Sequence, residues 1–452
     1  MTVRIPKAEH DALLSEAKET LQAQSSVLQW HTLHCELITP MYGGGVISTK
    51  VDEKMPIRAS AIRGQLRFWW RLLAKHQWNL EDIAKAEQKL WGGMGIGDAD
   101  GQAGQVLLRV KNCSKPNIEA WARYLPNHKQ KLILTPEKWA NVPYALFPAQ
   151  GKLRNKGTEI EENPHELLRE GFTWELQVAF LPSIEQVKNE LLKSEQPSFE
   201  TQVWESIRWW SNFGGVGART RRGLGAVQIQ QNQFFTKIIS KDEVERLGFC
   251  VQMKVVSSNS VYQSWEYAVK ALEKFRQIGV GRNDHSSRSH WSEPDAIRAI
   301  TGQSIAKHSQ RKTKGDIFPR AGFGLPIITK FKDNNPKGDD TSKYVDPITT
   351  TLKLKYRKDA NADWEVYERL SSPLILRPYL DEQNQWHSLV LVLNEPLYQS
   401  ELFQPVLEVG KNNYRDVVFW NDAQATDIKP LKQGEGEEIL KPLQAFLTYF
   451  AK

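Results

Sequence analysis

The residues with the most chemistry in them sit in one short stretch, "GGVGARTRRGLG" at 214–225, which packs five glycines and three arginines into twelve residues without an acid. Gly215, Gly217, Gly223 and Gly225 expose bare backbone N–H groups, and Arg219, Arg221 and Arg222 carry forked cations suited to oxyanions. A phosphate is the ligand such a mixture fits. The plainer reading is a tight connection that needs glycine for unusual dihedrals. Nucleotide motifs do not fit. Gly151–Lys152 and Gly410–Lys411 are followed by neither Ser nor Thr, so there is no P-loop. A dinucleotide fingerprint needs a strand before it and a helix after it. Here "FETQVWESIRWWSNF" ahead reads as a helix and "AVQIQ" behind reads as a strand. The expected phosphates belong to something other than ATP or a dinucleotide.

A second basic cluster lies at 56–76, where Arg58, Arg63, Arg67, Arg71 and Lys75 occur with no acid. Ser60 is a good N-cap for a helix there, and the N-terminal N–H groups would add anion donors. Arg63, Arg67 and Arg71 recur every four residues on one face. A solvated helix face usually mixes signs, so two readings compete: RNA phosphates, or carboxylates of another subunit. In the second half Arg282, Arg288 and Arg320 are further RNA-binding candidates. Acids collect elsewhere, at 159–162 and 435–438. With a net charge of +7, this segregation favours a polyanionic partner, RNA or DNA. Most of the sixteen tryptophans belong in cores, Trp69 and Trp70 among them.

Catalytic signals are sparse. His31 and His34 are three apart on an expected strand, which puts them on opposite faces and spoils a metal pair. His285 and His290 flank "SSRS" and could act as acid and base on a 2′-hydroxyl, though polar loop residues are the plainer reading. No H-E-x-x-H or C-x-x-C motif occurs. The expectation is no catalytic residue, no metal, no cofactor and no small-molecule substrate. Three cysteines, scattered and odd in number, suggest a reducing compartment, and no apolar run approaches a membrane span, so a cytoplasmic protein is expected.

The elements that must position these residues follow from periodicity. Residues 8–24 read as an amphipathic helix in an N-terminal extension, 1–25, expected to dock on a surface. "LQWHTLHCELIT" alternates, with Leu33, Cys35 and Leu37 on one face. In "PIRASAIRGQLRFWWRLLAKH", Ile62, Leu66, Trp69 and Leu73 form a buried helical stripe. "QVLLRV" and "FTWELQVAFL" are strands, and 112–170 reads as an insertion. With the helix before the Gly/Arg loop and the strand after it, the order is β-α-β-β-α-β, the ferredoxin-like or RRM-like arrangement. A looser second round begins near 236 with "FCVQMKVV" and the helix "SWEYAVKALEKFRQI". "FGLPIITKF", "SPLILRPYL" and "HSLVLVL" are strands, and a closing helix, 437–451, is kinked or interrupted by Pro442. No final strand completes this round. The fold class is α+β with two ferredoxin-like domains of antiparallel sheet, 26–235 and an irregular 236–452.

These landmarks resemble one family: the first subunit of the Cmr effector complex of type III-B CRISPR systems, within the RAMP superfamily. The resemblance is carried by "PIRASAIRGQLRFWWRLL" at 56–73 and by the pattern G-φ-G-x5-G-φ-G at 215–225. In the second half it is carried by "GVGRNDHSSRSHWSEPDAIR" at 279–298, "FPRAGFGLPI" at 318–327 and "SSPLILRP" at 371–378. It implies two RRM-like domains inside a multi-subunit ribonucleoprotein that holds a CRISPR guide RNA and captures target RNA. The subunit would lie toward the guide's 3′ end, beside other RAMP subunits, and bind without cutting. The rivals are a metal-independent endoribonuclease that matures the guide through His285 or His290, and a structural cap that hardly touches RNA.

Overall fold

The computed structural model describes residues 28–47, 49–93, 101–230, 238–283, 288–305, 316–331, 345–393, 401–411, 413–434 and 438–452, with Ser15 and Gly436. The expected helix at 8–24, apart from Ser15, and His285 lie outside the described residues. The chain forms two compact units. The first comprises Met1–Ala120, Glu166–Ala218 and Gly225–Ile239; the second comprises Trp121–His165, Arg219–Leu224 and Ser240–Lys452.

In the first unit, strands β1 (His31–Leu37), β2 (Val106–Lys111), β3 (Thr173–Phe180) and β4 (Val227–Ile229) form one sheet. Its order is β4-β1-β3-β2, with every neighbouring pair antiparallel. Helices α1 (Ala59–His76) and α2 (Ile83–Trp91) fall between β1 and β2, and α3 (Phe199–Phe213) falls between β3 and β4. That is the β-α-β-β-α-β order read from the sequence. Alternation sets the register: Leu33 lies opposite Leu176 and Cys35 opposite Trp174, all buried, while His34 faces water. Helix α1 buries Ile62, Leu66, Trp69, Trp70 and Leu73, the expected stripe together with its neighbour. Trp69 packs against Trp209 at 6.0 Å and Phe213 at 6.2 Å of α3, and Trp70 Nε1 donates to Gln202 Oε1 at 2.9 Å. Both tryptophans are therefore packing residues.

The expected cap at Ser60 is displaced. Helix α1 starts at Ala59, Arg58 holds the extended N-cap backbone, and no side chain caps the end; Ser60 stands exposed one residue inside the helix. A cap side chain must come from the non-helical residue before the first turn, which Ser60 is not.

In the second unit, β5 (Cys250–Val255), β9 (Leu374–Leu380) and β10 (Trp386–Val392) form an antiparallel sheet of order β5-β10-β9. Helices α4 (Val261–Arg276) and α6 (Pro442–Ala451) bury their apolar faces around Phe275, whose ring lies 5.4 Å from Phe446, 5.7 Å from Trp291 and 6.2 Å from Phe323. Pro442 does not kink a longer helix. It is the first residue of α6, where its missing N–H costs nothing and its fixed φ suits the start. A second sheet runs β6 (Ile327–Thr329), β7 (Thr350–Tyr356), β11 (Phe403–Val409), β12 (Tyr414–Asp416), with β8 (Glu365–Tyr367) also on β7. Helix α5 (Glu293–Thr301) packs Ala296 and Ile297 onto it, against Leu352, Leu354 and Leu407. No helix among the described residues is long and apolar enough to cross a membrane.

Replacing Phe275 by Ala removes the ring on which Trp291, Phe323, Phe446 and Tyr449 converge. Urea denaturation should show a loss of about 3–5 kcal/mol for the second unit.

Candidate nucleic-acid interface

The Gly/Arg loop is built from its backbone inward. In the first unit, Ala218 N donates to Tyr42 O and Val216 N to Gly225 O, both at 2.8 Å, and Gly225 N donates to Pro40 O at 2.8 Å. Gly215 bridges Ala226, and Gly217 is exposed. Gly225 has φ +62°, and a Cβ there would lie 1.9 Å from Val216 O. In the second unit, Thr220–Arg222 is one turn of 3-10 helix closed by Gly223 at φ +81°. A Cβ on Gly223 would sit 2.5 Å from Trp265 Cδ1. At these two positions the bare Cα is needed by the protein's own backbone and indole. The expectation that glycine here makes room for RNA is corrected on that ground.

The three arginines of the loop reach carbonyls. Arg219, left-handed at φ +63°, donates from Nε to Ala145 O at 3.3 Å and from Nη2 to Tyr144 O at 3.2 Å. Arg221 Nη1 donates to Ser372 O. Arg222 is 8% exposed; its Nη1 donates to Leu374 O at 3.1 Å, and its Nη2 to Phe323 O at 3.5 Å. Its own carbonyl accepts from Trp265 Nε1 at 2.7 Å. Burial pushes the Arg222 guanidinium down to about 9, with Tyr144 opposing and Arg219, Arg276 and Arg221 adding to the fall. Burial likewise lowers Arg221, to about 10. Arg222 is thus a buried cation held by carbonyls of its own chain, which departs from the exposed phosphate ligand expected from the sequence.

The ladder on α1 is partly neutralised from within the chain. Asp82 caps α2 by accepting from Lys85 N, and the helix carries Glu87 back toward α1. Arg67 Nε lies 2.6 Å and Arg71 Nη1 2.5 Å from the same oxygen, Glu87 Oε1. Arg63 Nη1 donates to Trp91 O at 3.1 Å, and Arg58 pairs with Asp52 at 2.9 Å. The competing carboxylate therefore comes from the same chain. Two guanidiniums on one carboxylate still leave a surplus cation, and the Arg71 side chain remains 46% exposed. Glu87 escaped the sequence reading, although the buried Ala86, Leu90 and Trp91 flanking it at helical spacing signal α2.

The second-half candidates separate. The Arg282 side chain lies outside the described residues. Arg288 is buried and reaches both Asp295 oxygens at 3.1 Å. Asp295 also meets Arg298, which pairs with Asp346 at 2.8 Å. Arg320 Nε sits 3.1 Å from Glu293 Oε2, and its backbone N donates to Glu293 Oε1 at 2.7 Å. Arg288 and Arg320 are therefore corrected from RNA ligands to members of internal ion pairs. His290 Nδ1 is 3.0 Å from Val280 O.

These environments predict opposite responses to truncation. Arg222→Ala leaves two buried carbonyls without their donor and should cost about 2–4 kcal/mol in thermal or urea unfolding. Arg222→Lys should recover little of that, because an ammonium lacks the planar fork. Arg71→Ala removes a half-exposed guanidinium and leaves Arg67 on the buried Glu87, so it should change stability by no more than about 1 kcal/mol.

Comparison with known proteins finds likeness over the stretch that holds α1 and the loop. Residues 34–228 match the RAMP superfamily. A curated relative, the CRISPR system Cmr subunit Cmr1-2 of Pyrococcus furiosus, is 26% identical over 202 residues, covering 43% of this chain and 92% of the relative. Among solved structures, the apo form of Cmr1 from Pyrococcus furiosus aligns at a TM-score of 0.39 and 16% identity, over 81% of this chain and 88% of that one. A chain of the type III-B Cmr-beta complex bound to cognate target RNA aligns at a TM-score of 0.40 and 13% identity, over 94% and 100%.

Proposed function

We propose that this protein is a non-catalytic RNA-binding subunit of a type III-B Cmr ribonucleoprotein, contacting guide RNA toward its 3′ end, target RNA, or both. In this reading it is cytoplasmic, works beside other RAMP subunits, and comprises two RRM-like domains, 26–235 and 236–452, behind the extension 1–25. The observation that carries it is a surplus of cations on α1 inside the RAMP-matching stretch. Arg63, Arg67, Arg71 and Lys75 share one helix, and Glu87 is the acid that Arg67 and Arg71 divide between them. Likeness to a Cmr subunit supports the assembly. Of the loop arginines, Arg219 and Arg221 are only partly buried and join α1 as RNA candidates, while Arg222 holds the turn from inside.

A second reading, the structural cap, draws support from the carbonyls that occupy the loop arginines. A salt titration separates the two. Single-stranded RNA should bind the full chain, and Arg67→Ala with Arg71→Ala should flatten the log–log salt slope by about 1.4, at roughly 0.7 per phosphate contact. The loss should be similar across RNA sequences, because phosphates carry no base identity. An unchanged slope and affinity would favour the cap. Incubation with repeat, guide or target RNA in EDTA should leave each RNA intact; cleavage would favour the endoribonuclease.

A further inference from the structure

The second unit contains a groove of about 570 Å³ where the end of β5 meets one face of α4 and the last turn of α6. None of the residues singled out in the sequence lines it. Its walls carry Lys254 from β5, Lys270 and Lys274 from α4, and the rings of Tyr267 and Tyr449. Glu266 is the acid in the lining, and it is engaged by Lys270 Nζ at 2.5 Å. Lys254 and Lys274 thus add charge that no lining acid offsets.

The aromatic component is placed to be used. Tyr267, Lys270 and Lys274 recur at i, i+3 and i+7 on α4, which aligns them along one helix face. Tyr267 is 36% exposed, yet its ring is held edge-to-face against the buried Phe450 at 5.6 Å. Lys254 Nζ stands 5.4 Å from the Tyr267 ring centroid. A partly exposed ring braced against Phe450 and flanked by ammonium groups is the combination that single-stranded nucleic acids use: stacking for a base, cations for the adjoining phosphates. The volume falls in the range of pockets that enclose small ligands, about 300–1,000 Å³. A solvated helix face would be convex, whereas this surface is a groove whose lining acid, Glu266, is already paired with Lys270.

We infer that the groove holds one or two nucleotides of a single RNA strand, with a base on Tyr267 and the flanking phosphates on Lys254 and Lys274. The inference rests on the RNA-binding reading above and adds a site to it. Lys270 stays on Glu266 and positions the α4 face.

The test is equilibrium binding of a fluorescent oligouridine RNA to the full chain, with thermal melting to check each variant. Lys254→Ala with Lys274→Ala should flatten the log–log salt slope by about 1.4. Tyr267→Ala should weaken binding about tenfold, and Tyr267→Phe, which keeps the ring, should stay within about twofold of the parent. Ultraviolet crosslinking should mark the Val261–Arg276 peptide. If the parent binds RNA and the lysine pair and Tyr267→Phe variants are folded, but neither lysine loss nor crosslinking reports on this groove, the groove assignment falls and the RNA-binding reading stands. If the parent binds no RNA, both fall. If the lysine variant keeps its RNA affinity but loses binding to polyglutamate, the groove takes an acidic protein segment, and the assignment is overturned.

Discussion

A guanidinium withdrawn from water survives only where fixed dipoles replace its hydration, and the turn at Arg222 is arranged around that requirement. The groups that act on its charge are Tyr144 and three further arginines, with no carboxylate among those described. Its compensation is therefore dipolar: carbonyl oxygens of Leu374 and Phe323. The same residue accepts the Trp265 indole proton on its own carbonyl, so one residue joins β9, the Pro319–Phe323 turn and α4. Gly223 follows because the indole lies where a Cβ would go. The dense sequence of the loop is in good part the signature of this one burial.

Positive charge in this chain falls into three physical states. Some is internal and paired, as in the Arg288–Asp295–Arg298–Asp346 chain, where each carboxylate is buried with its partners. Some is internal and held by carbonyls, as at Arg222. The rest sits at the surface in local excess, on α1 and in the α4 groove. Only the last state has field lines that reach a ligand, so a net charge of +7 overstates what a polyanion meets in some places and understates it in others.

What could be read from the sequence was what short-range pattern controls. Alternation in "HTLHCEL" fixed the face of β1, and the spacing of Ile62, Leu66, Trp69 and Leu73 fixed the buried side of α1. The strand–helix order of the first unit followed from those segments. The misplaced features depend on partners far along the chain. Glu87 meets Arg71 across a helix turn-around, and Leu374 meets Arg222 from 152 residues away. Periodicity carries no information on either. Strands β7 and β11 escaped because the first sits between polar segments and the second is interrupted by Pro405. Ser60 and Pro442 were misjudged by a residue or a few, the scale on which helix ends always slip.

The buried turn also changes how sequences similar to this one should be compared. The Arg222 side chain has two buried carbonyls to satisfy at once, so its neighbours restrict substitution whatever ligand the protein carries. At Arg71 a lysine would keep the charge and reach the same carboxylate, leaving that position free to drift under selection for ligand affinity alone. Invariance at 222 would then record the demands of folding, and exchange between arginine and lysine at 71 would record the ligand. An alignment scored by arginine retention would rank the two in the wrong order.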